Sequence, residues 1–190
     1  MMRIITGKAK GIRLKTLEGD ATRPTSERAK EAVFSILMDD IQGREILDLF
    51  SGSGQMALEA LSRGAAHAVM VDRSPAAVKI ITENAQKTKL ISNCEIRCED
   101  YLSFIKKSKN RKFDLIFIDP PYTSGAYMPA LDALLSNDNL KATSLIVCES
   151  SDESFAEEIT KTNAFSVIKQ SKYGKAVITI ITLREAQNEE

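Results

Sequence analysis

Cysteine is scarce in this chain, with Cys94, Cys98 and Cys148 as the whole supply. Three thiols cannot all pair with one another, and 190 residues can bury a core without covalent staples, so free thiols are expected. Histidine is scarcer still. His67 stands alone, far from Cys94 and Cys98 in sequence, which excludes a four-ligand zinc set, and no metal is expected. The two cysteines lie in a stretch that reads as a strand and are expected in the core. His67 is expected as a solvated residue of the turn Gly64-Ala65-Ala66-His67. Five prolines, with no repeat and no low-complexity segment, exclude a disordered or fibrous chain. No apolar run approaches the roughly 20 residues of a membrane span, and residues 1–11 lack the apolar stretch of a secretion signal. A cytoplasmic protein without a membrane partner is expected.

Net charge is also absent, since 26 basic side chains face 26 acidic ones, but the balance is uneven along the chain. Residues 1–30 hold Arg3, Lys8, Lys10, Arg13, Lys15, Arg23, Arg28 and Lys30 against Glu18, Asp20 and Glu27. The remainder is correspondingly acidic. Such a segment is either a solvated basic face or an electrostatic footprint for phosphates, and charge alone does not decide between them.

The length fits one domain, with residues 1–24 as a small basic extension and 25–190 as its core. In the extension, Arg3-Ile4-Ile5-Thr6 and Ile12-Arg13-Leu14-Lys15 read as an extended pair joined through Gly7 and Gly11, a small β-hairpin. Pro24-Thr25-Ser26 opens a helix whose apolar positions Ala29, Ala32, Val33, Ile36 and Leu37 form a buried stripe ending near Gly43. From there strands are predicted at 46–50, 68–72, 94–98, 113–119 and 145–149. Helices are predicted at 55–63, 75–87, after Asp100, at 129–135 and at 153–161. Strands alternating with helices argue for a mostly parallel sheet covered on both faces. Two final strands, 165–170 and 176–183, are separated by five residues that include Tyr173-Gly174-Lys175, too short for a crossover, so they form an antiparallel hairpin at one edge. The expected fold class is α/β: a Rossmann-like class I methyltransferase fold with seven strands, the last one antiparallel.

Asp48-Leu49-Phe50-Ser51-Gly52-Ser53-Gly54 carries a buried strand into a glycine turn that opens a helix. Glycines there let the backbone approach a ligand that a side chain would obstruct. Asp72 ends the next strand, where a carboxylate can accept hydrogen bonds from both hydroxyls of a ribose, and Arg73 follows it in the same candidate cofactor set. These features suit any adenosine-containing cofactor, and Gly52-x-Gly54-x-x-Ala57 even satisfies the loose dinucleotide pattern. Asp48 discriminates: a carboxylate beside the turn opposes a pyrophosphate but suits the amino and sulfonium groups of S-adenosylmethionine. Asp100 is placed to meet the adenine amine with Tyr101 beside the ring, and it also reads as the cap of the following helix.

Asp119-Pro120-Pro121-Tyr122 is the most specific motif. A diproline is rigid and has no amide donors, so the Pro120 carbonyl can point into a site without competing pairing. An aromatic amine is a poor nucleophile because its lone pair is delocalised. The Asp119 carboxylate and the Pro120 carbonyl can hold its two hydrogens and turn the lone pair toward a methyl group, while Tyr122 offers a flat face for stacking.

With these residues in view, almost the whole chain resembles the bacterial 16S ribosomal RNA guanine-N2 methyltransferases of the RsmD type. The resemblance rests on the Asp119 motif, Arg23-Pro24-Thr25 with Arg28 and Glu31, the Asp48 to Gly54 turn, Leu58-Glu59-Ala60-Leu61-Ser62-Arg63-Gly64-Ala65, and Tyr173-Gly174. It implies methyl transfer from S-adenosylmethionine to a guanine of 16S rRNA, within an assembled or nearly assembled small ribosomal subunit, by a monomer. The chain departs from the pattern at Ser51, where alanine is common, at Gln55-Met56, and at Asp72, where glutamate is common. Arg3, Lys8, Lys10 and Arg13 are the candidate RNA-gripping residues, and Arg23 and Arg28 are expected to flank the mouth of the site. The competing readings are an amino-methyltransferase for adenine or cytosine in DNA or another RNA, a nicotinamide-dependent oxidoreductase, and a non-catalytic RNA-binding protein.

Overall fold

In the computed structural model, residues 2–17, 24–37, 40–121 and 124–184 are described. Seven strands form a single sheet in the order β3-β2-β1-β4-β5-β7-β6. The strands are β1 (Glu45–Asp48), β2 (His67–Asp72), β3 (Cys94–Cys98), β4 (Phe113–Ile118), β5 (Leu140–Ser150), β6 (Phe165–Tyr173) and β7 (Ala176–Leu183). The first five run parallel, and β7 is antiparallel to both β5 and β6. β4 is buried at every position, as a strand covered on both faces must be, which is why it reads as a continuous apolar run.

Alternate residues of the strands feed two cores. Ile46, Met70, Leu115, Phe117 and Val147 face one side with helices α1 (Pro24–Ile36), α2 (Gln55–Ser62) and α3 (Pro75–Lys87). Leu47, Val69, Ile116, Ile118 and Cys148 face the other with α4 (Tyr101–Lys107), α5 (Tyr127–Ser136) and α6 (Phe155–Lys161). α3 starts where its cap dictates: the Ser74 side chain accepts from the Ala77 amide and Pro75 sits in the first turn.

Several boundaries differ from expectation for identifiable reasons. α1 ends at Ile36, short of Gly43, because tight turns follow: the Asp40 amide donates to the Leu37 carbonyl and Arg44 to Ile41. An aspartate so close to the negative end of a helix dipole also opposes extension. β5 starts at Leu140 rather than 145 because an irregular register between Phe113 and Leu115 admits an extra, more polar stretch. His67 is half-buried at the start of β2, with Nδ1 3.5 Å from the Glu45 carboxylate. Cys148 is buried, but Cys94 is half-buried and Cys98 exposed, since β3 is the outermost strand of its side of the sheet.

The N-terminal hairpin pairs at a single antiparallel bridge, Arg3 with Arg13, and its inner residues Met2, Ile4, Ala9 and Leu14 join the main core. Its arms also exchange backbone hydrogen bonds, from the Ile4 amide to the Ile12 carbonyl at 3.0 Å and from the Leu14 amide to the Met2 carbonyl at 2.9 Å, while α2 satisfies the stretch between them. Ile5 and Thr6 amides donate to the Glu59 carboxylate at 2.7 and 3.0 Å, and Lys8 donates to the Ser62 carbonyl at 2.8 Å. Gly7 fits because a Cβ there would lie 1.8 Å from the Ser62 carbonyl oxygen. No helix among the described residues is long and apolar enough to cross a membrane.

Candidate active site

The parallel strands deliver their C-terminal ends to one edge of the sheet. β1 lies between β2 and β4, so the chain order reverses across β1 and β4, and a crevice at such a point is where open α/β sheets bind ligands. Asp48, Asp72 and Asp119 all stand at or just past strand ends on this edge.

On the β1–β2 side the glycine turn opens α2 without a side-chain cap. Gly52 and Gly54 both have positive φ, 53° and 75°, but they do different jobs. A Cβ on Gly52 would meet nothing within 4 Å, so this residue borders open space; one on Gly54 would press on Met70 and Ile81 at 3.2 and 3.3 Å. Gly52 is therefore the glycine that can admit a ligand, and Gly54 lets the turn pack on β2 and α3. Asp72 holds the turn from below: its carboxylate accepts from the Gly52 amide at 2.9 Å and from the Ser74 amide at 2.8 Å.

Asp48 is 3% exposed. Burial pushes its carboxyl up to about 7, and the charge of Asp72 adds to the rise, while hydrogen bonds from the Phe50 and Ala57 backbone and from Ser51 oppose it. Such a group gains most from a cationic ligand, which restores its charged form. Ser51 also donates to the Asp48 carbonyl at 2.9 Å. Asp100 caps α4, accepting from Leu102 and Ser103 amides at 2.9 and 3.2 Å, and Tyr101 packs against Phe50 with ring centroids 4.9 Å apart. Arg73 is exposed beside Asp72. Together these residues fit a nucleoside with a positively charged substituent: a carboxylate at the ribose position, an aromatic edge, a backbone left open by glycine and a buried carboxylate for the cation.

On the β4–β5 side, Asp119 is exposed and Pro120 buried. The Pro121 carbonyl accepts from the Ser124 amide at 2.8 Å. Tyr122 and Arg23 lie outside the described residues. A cavity beside Asp119 is walled by Ala29 and Val33 of α1, Phe117, Val147 and Ile178 of the sheet, with Lys30, Gln55 and Glu149 among its polar groups.

Charge reasoning missed the role of Lys30. It is 2% exposed, its ammonium donating to the Arg3 carbonyl at 2.6 Å and lying 3.6 Å from fully buried Glu59. Desolvation lowers its pKa, and Glu59 opposes that. Glu59 also pairs with Arg63 at 2.8 Å. Lys30 is thus part of a buried network rather than an RNA contact, whereas Arg3, Lys8, Lys10, Arg13 and Arg28 are exposed. Asn84 was also missed. Buried on α3, it accepts from the Lys15 amide at 2.8 Å and donates to the Lys15 and Ser53 carbonyls at 3.0 and 2.9 Å, tying the N-terminal segment to the glycine turn. Nothing in a lone helical asparagine announces partners so distant in sequence. No group of three or more His, Cys, Asp or Glu suited to a metal occurs among the described residues.

The strand order, with its antiparallel β7 between β5 and β6, defines a Rossmann-like class I methyltransferase fold. A methyltransferase candidate from Escherichia coli, yhhF, superimposes with a TM-score of 0.82 at 27% identity, covering 96% of this chain and 98% of that one. SMU.776, a methyltransferase candidate solved with S-adenosylhomocysteine, shares the fold at a TM-score of 0.71 and 17% identity, over 81% of this chain and 49% of that one. The chain belongs to the family described as conserved hypothetical protein 95, the RsmD family, whose model matches residues 2–182. Ribosomal RNA small subunit methyltransferase D of Haemophilus influenzae is 35% identical over 150 residues, 78% of either chain. Its namesake in Escherichia coli K12 is 32% identical over 152 residues, 80% of this chain and 76% of the relative.

Proposed function

We propose that this chain transfers a methyl group from S-adenosylmethionine to the exocyclic N2 amine of a guanine in 16S rRNA. The observation that carries this reading is the Asp119-Pro120-Pro121 turn at the end of β4, directly across the crevice from the Asp48 and Gly52 turn at the end of β1. Relatives named as small-subunit ribosomal RNA methyltransferases support the RNA class of substrate.

When bound, the cofactor supplies an electrophilic methyl group on a sulfonium. Asp72 holds the ribose hydroxyls, Asp48 faces the positive charge, and Asp100 with Tyr101 borders the adenine. Asp119 and the Pro120 carbonyl accept hydrogen bonds from the two N2 hydrogens, which turns the nitrogen lone pair toward the methyl carbon. As nitrogen takes the methyl group it must release a proton, and the Asp119 carboxylate is placed to receive it. Arg3, Lys8, Lys10 and Arg13, with Arg23 and Arg28 nearer the mouth, hold RNA phosphates and position the base without touching the methyl donor. RNA presented by an assembled or nearly assembled small subunit is specified largely by its surrounding shape, which suits recognition through a basic surface beside the crevice. A cytoplasmic monomer meets that substrate. An oxidoreductase would leave the diproline turn without a task.

Incubation with radiolabelled S-adenosylmethionine and separate pools of small subunits, free 16S rRNA and DNA tests this. Label entering small-subunit RNA is expected. Label entering DNA instead, or no transfer to either RNA pool, would overturn the reading.

A further inference from the structure

β4 and β5 run parallel with Ile118 opposite Cys148, so Asp119 and Glu149 are the next pair along the two strands. Side chains alternate between faces, which puts both on the face of Phe117 and Val147, and all four line the cavity beneath α1. Lys30 and Gln55 are its other polar groups. The Lys30 ammonium, however, is committed to the Arg3 carbonyl. Glu149 is half-buried, and its backbone carbonyl accepts a hydrogen bond from the Tyr127 hydroxyl, which fixes the end of β5. Two carboxylates on neighbouring strands, about 4.8 Å apart at the backbone, therefore stand side by side at the proposed acceptor site.

That arrangement suits one nucleobase edge better than the others. In guanine one of the two ring positions beside the 2-amine is N1–H, a donor. In adenine and cytosine the ring nitrogen beside the exocyclic amine is an acceptor, which a second carboxylate repels. We propose that Glu149 is the base-reading residue, accepting a hydrogen bond from guanine N1–H while Asp119 and the Pro120 carbonyl hold the N2 amine. The neutral Gln55 amide is available to the neighbouring O6. This inference rests on the proposed guanine methyltransferase activity and names the group that makes it selective.

The test uses small subunits reconstituted on 16S rRNA that carries either guanine or 2-aminopurine at the methylated position. 2-Aminopurine keeps the 2-amine but has an unprotonated N1. Wild-type enzyme should prefer guanine in kcat/KM by at least about a hundredfold, because a site built to accept a proton donor strongly rejects an analogue lacking it. In Glu149→Gln the side-chain amide can donate to N1 of 2-aminopurine, so the preference should shrink by at least about tenfold. Both substrates are read by the same protein preparation, so partial unfolding cancels from the ratio. A variant that keeps the wild-type preference would overturn the role of Glu149 and leave the guanine reading standing. Wild-type enzyme that places its methyl group on adenine or cytosine would overturn the guanine reading itself, and this inference with it.

Discussion

Across the crevice, two sets of carboxylates stand in different local settings. On the cofactor side, Asp72 accepts two backbone amides, Asp100 caps a helix and Asp48 is sealed beneath the turn. On the acceptor side, Asp119 is exposed at the end of β4, followed by a buried and then an exposed proline. In the proposed function a carboxylate on the first side holds the protein as well as the ligand, so its removal mixes stability with affinity. On the second side, in the proposed function, loss of Asp119 should report on methyl transfer rather than on cofactor binding.

The largest effect expected is that of Asp119→Ala: turnover should fall at least about a hundredfold, the scale of one positioned polar group, with cofactor affinity near wild type. Calorimetric affinity together with single-turnover rates checks it. A parallel loss of affinity would erase the distinction between the two sides. Next, Asp72→Ala should weaken cofactor binding by about 1.5 to 3 kcal/mol and also lower the melting temperature of the ligand-free protein, since the Gly52 and Ser74 amides lose their acceptor. An unchanged melting temperature would show that the turn stands without it.

A smaller effect is a pH dependence. The Asp48 carboxyl is held near 7 in the fold against an ordinary value of 3.8, so the folded protein binds a proton that the unfolded chain has released between those values. Its contribution therefore makes the ligand-free protein less stable as pH rises through that window. A cationic cofactor favours the ionised form, so affinity should rise with pH toward about 7 and then level, with proton release on binding below it. Calorimetry in buffers of different ionisation enthalpy measures the proton, and Asp48→Asn should flatten the profile. Smallest on the isolated protein is the replacement of Lys8, Lys10 and Arg13 together by alanine. Cofactor affinity and thermal stability should stay nearly intact, while small-subunit binding weakens and its salt dependence becomes shallower. Unchanged salt dependence would reduce the basic hairpin to a solvated face.

Elements with strong local signals were legible in the sequence. α3 and β3 fall where Pro75, Lys87, Cys94 and Cys98 put them, because a cap and a compact strand pattern are local properties. The glycine turn was equally plain, since Gly52 and Gly54 take the positive φ that such a turn needs. What the sequence hid depends on distant partners. A buried lysine on α1 is intelligible only once Glu59 of α2 and the Arg3 carbonyl close around it. The hairpin is anchored on α2, where Glu59 and Ser62 accept from the Ile5, Thr6 and Lys8 amides, and a local reading cannot foresee that. Gly52 and Gly54 looked equivalent, yet only the packing of Met70 and Ile81 shows which of them faces the protein.

The central claim is that the crevice joins a cationic methyl donor on one side to a guanine amine on the other. Its most direct measurement is nucleoside mass spectrometry of small-subunit RNA after a single round of methyl transfer, using subunits from cells that lack this enzyme. One new methylated nucleoside is expected, N2-methylguanosine, which Asp119→Ala fails to produce in the same time. Methyl groups on adenosine or cytidine, or undiminished N2-methylguanosine from that variant, would contradict it.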